Sequence, residues 1–269
     1  MFSLIQNKYH IVRLGDFATN GNTKIIYGLI SFILCIDDYI SRNSTDCFII
    51  LLGSTIAWTF VELFLHISHT RVIKPMYIEL FNNSYQLSQP TGIILQGLQE
   101  GGVITTIGLY FGDRLYDIKF IILLHVFILY IIVNIYSKQN ILKSSKRQVN
   151  TPSSLIFISS VTIYDIYTLY QNPEHIQRQL SMFFIMIYIC SCWTFFTWYN
   201  GFRTIEIHIK NPRYSAIINA DPDTTTLFEY NMKPVTNLDT FYILAYDVVF
   251  EISIAYILFY NLFFIQTYF

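Results

Sequence analysis

Charge is what this chain has least of. Of its 269 residues only 13% are Asp, Glu, Lys or Arg, against about a quarter in a soluble domain. The formal net charge of −1 supplies no basic field, which argues against a nucleic-acid partner. A cleavable signal peptide is not expected: Met1 to Lys24 includes Gln6, Asn7, Arg13, Asp16 and Asn20, which interrupt any apolar core. The Gly-x-Ser-x-Gly nucleophile pattern and the phosphate loop are both missing. So are internal repeats and low-complexity segments. Cysteine is scarce, with four in all. Cys35 and Cys47 bracket a short polar stretch and are placed for a disulfide only if it faces an oxidising lumen; the alternative is small apolar packing residues.

What the chain does have is long apolar runs, with 53% hydrophobic residues and 17% aromatic ones. Seven segments can be drawn: Lys24–Ile40, Cys47–Ile67, Thr91–Gly112, Ile118–Ser137, Pro152–Tyr170, Ser181–Asn200 and Phe241–Phe269. Most approach the ~20 residues a helix needs to cross a bilayer. The expected fold is therefore an all-α integral membrane protein, a single domain over residues 1–269 with about seven transmembrane helices. The count falls to six if the first does not span, since its clean apolar run, Ile25 to Ile36, is only about 18 Å long as a helix.

Seven alternating spans would put thirteen of the seventeen Lys and Arg residues on the N-terminal side, leaving Arg42, Arg114, Lys119 and Arg178 opposite. That bias predicts the N-terminus inside and the C-terminus outside. The inner loop, residues 201–240, contains "RTIEIHIKN", where Ile205, Ile207 and Ile209 alternate with polar residues. This reads as a strand, with "YSAIIN" as the return strand of a hairpin. In the third segment Gly97, Gly101, Thr105, Gly108 and Gly112 recur at helical spacing. They form one small-residue face for close helix packing, within the bundle or against partner subunits.

The functional signal is the set of ionisable groups inside these apolar segments. Thr55, Thr59, Glu62, His66 and His69 recur four and three apart, a polar stripe that must face protein or water. Glu100 lies on the third segment, Asp165 on the fifth, and Asp247 and Glu251 share a face of the seventh. The alternating topology carries Glu62, His66, His69, Glu100, Asp247, Glu251, Asn200 and Arg203 to the inner leaflet. Asp165 falls in the outer half, and His125 reads as a hydrogen-bonded packing histidine.

Three readings of this inner cluster stand side by side. One is a lipid-acting membrane enzyme, with Glu62, His66 and Glu100 as catalytic groups and Asn200 and Arg203 on the substrate headgroup. In its metal-dependent form, His66, His69, Glu62, Glu100, Asp247 and Glu251 would hold Zn, Mn or non-haem Fe. Six histidines in the whole chain, without a second cluster, do not make the multiple histidine boxes of membrane hydroxylases and desaturases. The second reading is structural, with the polar groups fixing helix register in an assembly subunit. The third is a cation or proton path through the buried acids.

Overall fold

The computed structural model describes residues 8–16, 18–81, 83–136, 143–149, 151–208 and 232–265. Among these are seven helices and a small sheet. Helix α1, Gly21–Arg42, starts where Asn20 accepts a hydrogen bond from the Thr23 N–H and stops at Asn43 in the left-handed region, φ 53°, the usual chemistry of the two ends. Helix α2 is Asp46–Ile67. Helix α3 covers residues 89–112 as Gln89–Gly97, a π turn Leu98–Val103 and Ile104–Gly112. Helix α4 is Ile118–Tyr136. Helix α5, Pro152–Gln171, is capped by the Thr151 hydroxyl, and α6 is Ile176–Tyr199. Helix α7 is capped by Thr236 and again contains a π turn: Asn237–Tyr246, Asp247–Ile254, Ala255–Phe264.

Three of these are long and apolar enough to cross a membrane: Asp46–Ile67, Pro173–Tyr199 and Asn237–Phe264, where the second includes the short 3-10 turn that precedes α6. The outer faces of the remaining helices are apolar too. On α1, Leu29, Ile33 and Ile40 are exposed while Lys24, Ser31 and Asp38 are buried. So α1 has its polar residues inward and its apolar residues outward, the reverse of a helix in water.

The sheet stands at one end of the bundle. Its strands are β1 Tyr9–Leu14, β2 Arg71–Ile73, β5 Lys143–Gln148, β6 Arg203–His208 and β7 Met232–Pro234, in the antiparallel order β2-β5-β1-β6-β7. They come from the chain before α1 and from the α2–α3, α4–α5 and α6–α7 connections. Successive helices therefore run alternately away from the sheet and back to it. At the far end Asp113 accepts from Arg42 at 2.6 Å and from Arg178 at 2.7 and 2.8 Å, and Arg114 donates to Asp38 at 2.7 Å. A separate hairpin, β3 Tyr77–Leu80 with β4 Asn83–Gln86, lies in the α2–α3 connection.

Two expectations change here. The strand around Ile205 and Ile207 exists, but it pairs with β1 and β7 in a larger sheet; the expected return strand at "YSAIIN" lies outside the described residues. The small-residue face of α3 is divided. A Cβ on Gly97 would sit 2.8 Å from the Thr59 amide nitrogen and one on Gly101 2.5 Å from the Ser54 carbonyl oxygen, both on α2; at Gly108 and Gly112 the neighbours are Met186 and Met182 of α6. The π turn is the reason: one extra residue rotates everything after it by about 100° around the helix. Every residue from Gly101 to Gly112 is buried, so α3 is central, and the small residues that suggested a partner subunit are packed inside the bundle.

Candidate functional site

Strand alternation builds the site. Across the sheet, Arg71 pairs with Arg147, Arg147 with Ile11, and Ile11 with Ile205; two residues along, Ile73 pairs with Ser145, Ser145 with Arg13, and Arg13 with Arg203. Residues two apart on a strand share a face. Arg13, Arg71, Arg147 and Arg203 therefore lie on one face, as two directly opposed pairs. Like charges so placed repel, and the helix ends supply the opposite charge.

Arg71 donates through Nη1 to Glu62 of α2 and, at 2.7 Å, to Glu100 of α3. Arg13 donates to the other Glu100 oxygen at 2.7 Å. Arg147 spans Asp247 and Glu251 of α7, one Nη to each. Glu100, Asp247 and Glu251 all stand in the two π turns. Lys24 of α1 is buried beside them and donates to Gln96, at 2.9 Å, and to Gln99. Burial by itself lowers the pKa of Arg71 and Arg147, but Glu100 and Glu62 on one, and Asp247 and Glu251 on the other, outweigh it and raise both above the ordinary value.

Arg203 is less well matched. Its Nη1 donates to the Thr194 hydroxyl at 3.1 Å, the nearest Asp247 oxygen is 3.8 Å away, and its buried Nε has no partner. Burial, with Arg13 next, lowers its pKa to about 9 despite Asp247.

Above this face lies a cavity of about 460 Å³. Its walls are Phe60, Val61, Phe64 and Leu65 of α2, Phe157 and Ile158 of α5, and Ile252, Ala255 and Tyr256 of α7, with Trp58 and Trp193; its polar end holds the four arginines, Glu100, Asp247, Glu251 and the first turn of α5. Phe60 and Phe64, 66% and 62% exposed, continue its apolar wall onto the outer surface.

The structure thus gathers Glu62, Glu100, Asp247, Glu251 and Arg203, as the sequence suggested. It separates His66, His69 and Asn200 from them. The helix ends at Ile67 and His69 turns away with φ 53°; His66, still on α2, and His69 line a second cavity of about 350 Å³ on the other side of Arg71, with Lys74, Ser88 and Gln89. Asn200 donates to the Phe196 carbonyl at 2.9 Å and closes its own helix. The metal set of His66, His69, Glu62, Glu100, Asp247 and Glu251 is not assembled: among the described residues no three His, Cys, Asp or Glu side chains are grouped to hold an ion. The four carboxylates each face a guanidinium. Asp165 forms a separate cluster toward the far end, accepting from Gln179 at 3.3 Å and from Asn261. His125 bonds the Ile121 carbonyl and, at 3.0 Å, the Tyr188 hydroxyl, as a packing histidine would.

Sequence reasoning missed Arg13, Arg147 and Lys24 as members of the site. The available signal was the excess of buried acids over any cation on the same helices. No protein-family model matches the chain, and no curated protein or solved structure shows significant similarity to it.

Proposed function

We propose that this chain is a multi-pass membrane protein of seven spans, sheet side inward, that draws a membrane lipid from the inner leaflet into the cavity over the arginine face. The observation that carries this reading is the two-ended cavity. Its apolar wall is continuous with the exposed Phe60 and Phe64 and its other end is ionic, as an amphiphile entering sideways would require. The seven-span topology draws support from the apolar outer faces, and the orientation from the Lys and Arg residues gathered on the sheet side. Glu62 and Glu100 are both engaged by Arg71, which suits holding a headgroup better than the proton transfer expected of a catalytic pair.

The structural reading has its own support: the same ion pairs tie β1, β2 and β5 to α2, α3 and α7. It is compatible with a lipid above them.

The test is photo-crosslinking in lipid nanodiscs with a phospholipid carrying a diazirine near the end of one acyl chain. Adducts are expected on Val61, Phe157, Ile158 or Tyr256. Adducts confined to outward residues such as Val126, Leu129 and Val133 of α4, with none in the cavity, would end the proposal.

A further inference from the structure

We infer that the polar end of the cavity is an oxyanion site in which Arg203 and the N-terminus of α5 together hold the phosphate or carboxylate of a net-negative ligand. This deepens the lipid reading and rests on it. Two features point the same way.

The first is the distribution of charge partners. Arg71 and Arg147 each meet two carboxylates and Arg13 meets Glu100. The carboxylate nearest to Arg203, Asp247, is already taken by Arg147. Arg203 keeps one hydroxyl contact and a buried Nε–H with no acceptor, although the residue is only 5% exposed. A buried charged donor left unpaired is costly. Arg203 lines the cavity, and a guanidinium can pair with the two oxygens of a phosphate or carboxylate.

The second feature is the helix end. Thr151, Ser153 and Ser154 open the 20-residue α5 and line the same cavity. Its first turn presents the positive end of the helix dipole, although the Ser154 N–H is already held by the Thr151 hydroxyl and Pro152 has none. The pKa of Arg203, lowered first by burial and next by Arg13, follows from the same placement as the first feature. A zwitterionic headgroup would also bring a cation toward Arg203, the least well matched of the four, so the site should discriminate against it.

The chain carries its own reporter. It has three tryptophans, and two of them, Trp58 and Trp193, line the cavity. The protein is reconstituted in phosphatidylcholine nanodiscs doped with a brominated-chain lipid, either anionic phosphatidylglycerol or zwitterionic phosphatidylcholine, and tryptophan quenching is followed against mole fraction. The wild type should reach half-quenching at about tenfold less anionic lipid than zwitterionic lipid. Arg203→Gln should remove the preference and Arg203→Lys should keep part of it. Ser153→Asp places a carboxylate at the exposed mouth and suits an early helix position, so it tests the site without disturbing buried Arg203; it should also reduce the preference.

Equal quenching by the two lipids in the wild type overturns the inference and leaves the lipid reading standing. A preference unchanged in Ser153→Asp and in folded Arg203→Gln overturns it as well. Quenching by neither lipid above the level of an outward-facing control would remove the lipid reading itself. In that case inorganic phosphate is the remaining probe. A phosphate-induced change in tryptophan emission lost in Ser153→Asp would keep the oxyanion site with a soluble ligand, and no change would end it.

Discussion

Arg71 shows how much of the fold can rest on a single side chain. It leaves β2 and joins Glu62 at the end of α2 to Glu100 in the middle of the chain's most buried helix. Removing it leaves buried Glu62 without its guanidinium and takes from Glu100 one of its two arginines, and breaking a buried pair costs about 3–5 kcal/mol. Arg71→Leu should therefore lower thermal stability in detergent sharply, and adding Glu62→Gln should recover part of the loss. Strictly additive effects of the two changes in a double-mutant cycle would show that they are not coupled. Asp113, at the far end and outside the apolar segments, gives a pH test. Burial raises its pKa, but Arg178 and Arg42 more than reverse this and leave it below the ordinary 3.8. A depressed folded-state pKa contributes stability that is complete above the unfolded value and lost as pH falls through the folded one. Asp113→Asn should thus destabilise by about 1.5–3 kcal/mol at neutral pH and the difference should shrink below pH 3.8; a constant difference would mean the carboxylate charge is not what holds the helix ends. At this scale the acids were legible because a Glu or Asp inside an apolar helix has few alternatives to facing inward. His69 was misplaced because the spacing argument carried the helix two residues past its end at Ile67; His66, still inside the helix, faces the second cavity instead.

Elements were legible in proportion to their pattern. The seven apolar runs became seven helices because long apolar stretches between polar links leave a buried backbone little other way to satisfy its hydrogen bonds. Strand β6 was visible through Ile205 and Ile207. Strand β5, "KSSKRQ", has no apolar alternation and was not visible, nor was β1, whose meaning comes only from lying between β5 and β6. Two of the four arginines in the face sit on those strands. The Gly101-Gly102 pair marked a possible break at the first π turn, and the second left no such sign; they fall at Glu100 and at Asp247 with Glu251, and such turns concentrate at functional sites. The tight contact beside the first of them can be tested. A Cβ on Gly101 would lie 2.5 Å from both the Ser54 carbonyl oxygen and the Trp58 Cβ, so Gly101→Leu should cost at least the ~1–3 kcal/mol of overpacking. Val133→Leu on the outward face of α4, 65% exposed, is the control and should change little. Equal thermal stability of the two variants would remove the case for a central α3.

For the whole molecule the sheet constrains the topology. Because β1 is hydrogen-bonded between β5 and β6, the chain before α1 stands on the same side as the α2–α3, α4–α5 and α6–α7 connections. Arg42, at the other end of α1, is paired to Asp113 at the far side. So α1, the weakest apolar run, must traverse the bundle as its neighbours do: if they span, it spans. Of the described Lys and Arg residues, Arg42, Arg114, Lys119 and Arg178 lie at the far end and the rest at the sheet end; the proposed orientation, sheet side inward, rests on this bias and the positive-inside tendency. The four cysteines are poor labelling targets, three of them buried and Cys192 partly so. A cysteine placed at half-exposed Ser44 or Lys74 in a Cys192→Ser background therefore reports its own side. Asn43-Ser44-Thr45 adds a glycosylation acceptor pattern on the far side, although Asn43 adjoins a helix end where access is restricted; the second pattern begins at Asn82, outside the described residues. A membrane-impermeant maleimide applied to intact cells or sealed vesicles should label Ser44→Cys from outside and Lys74→Cys only after permeabilisation. The reverse pattern would invert the orientation and move the lipid site to the outer leaflet. Labelling of both from one side would mean that α2 does not cross, and the lateral cavity it walls could not then open into a bilayer.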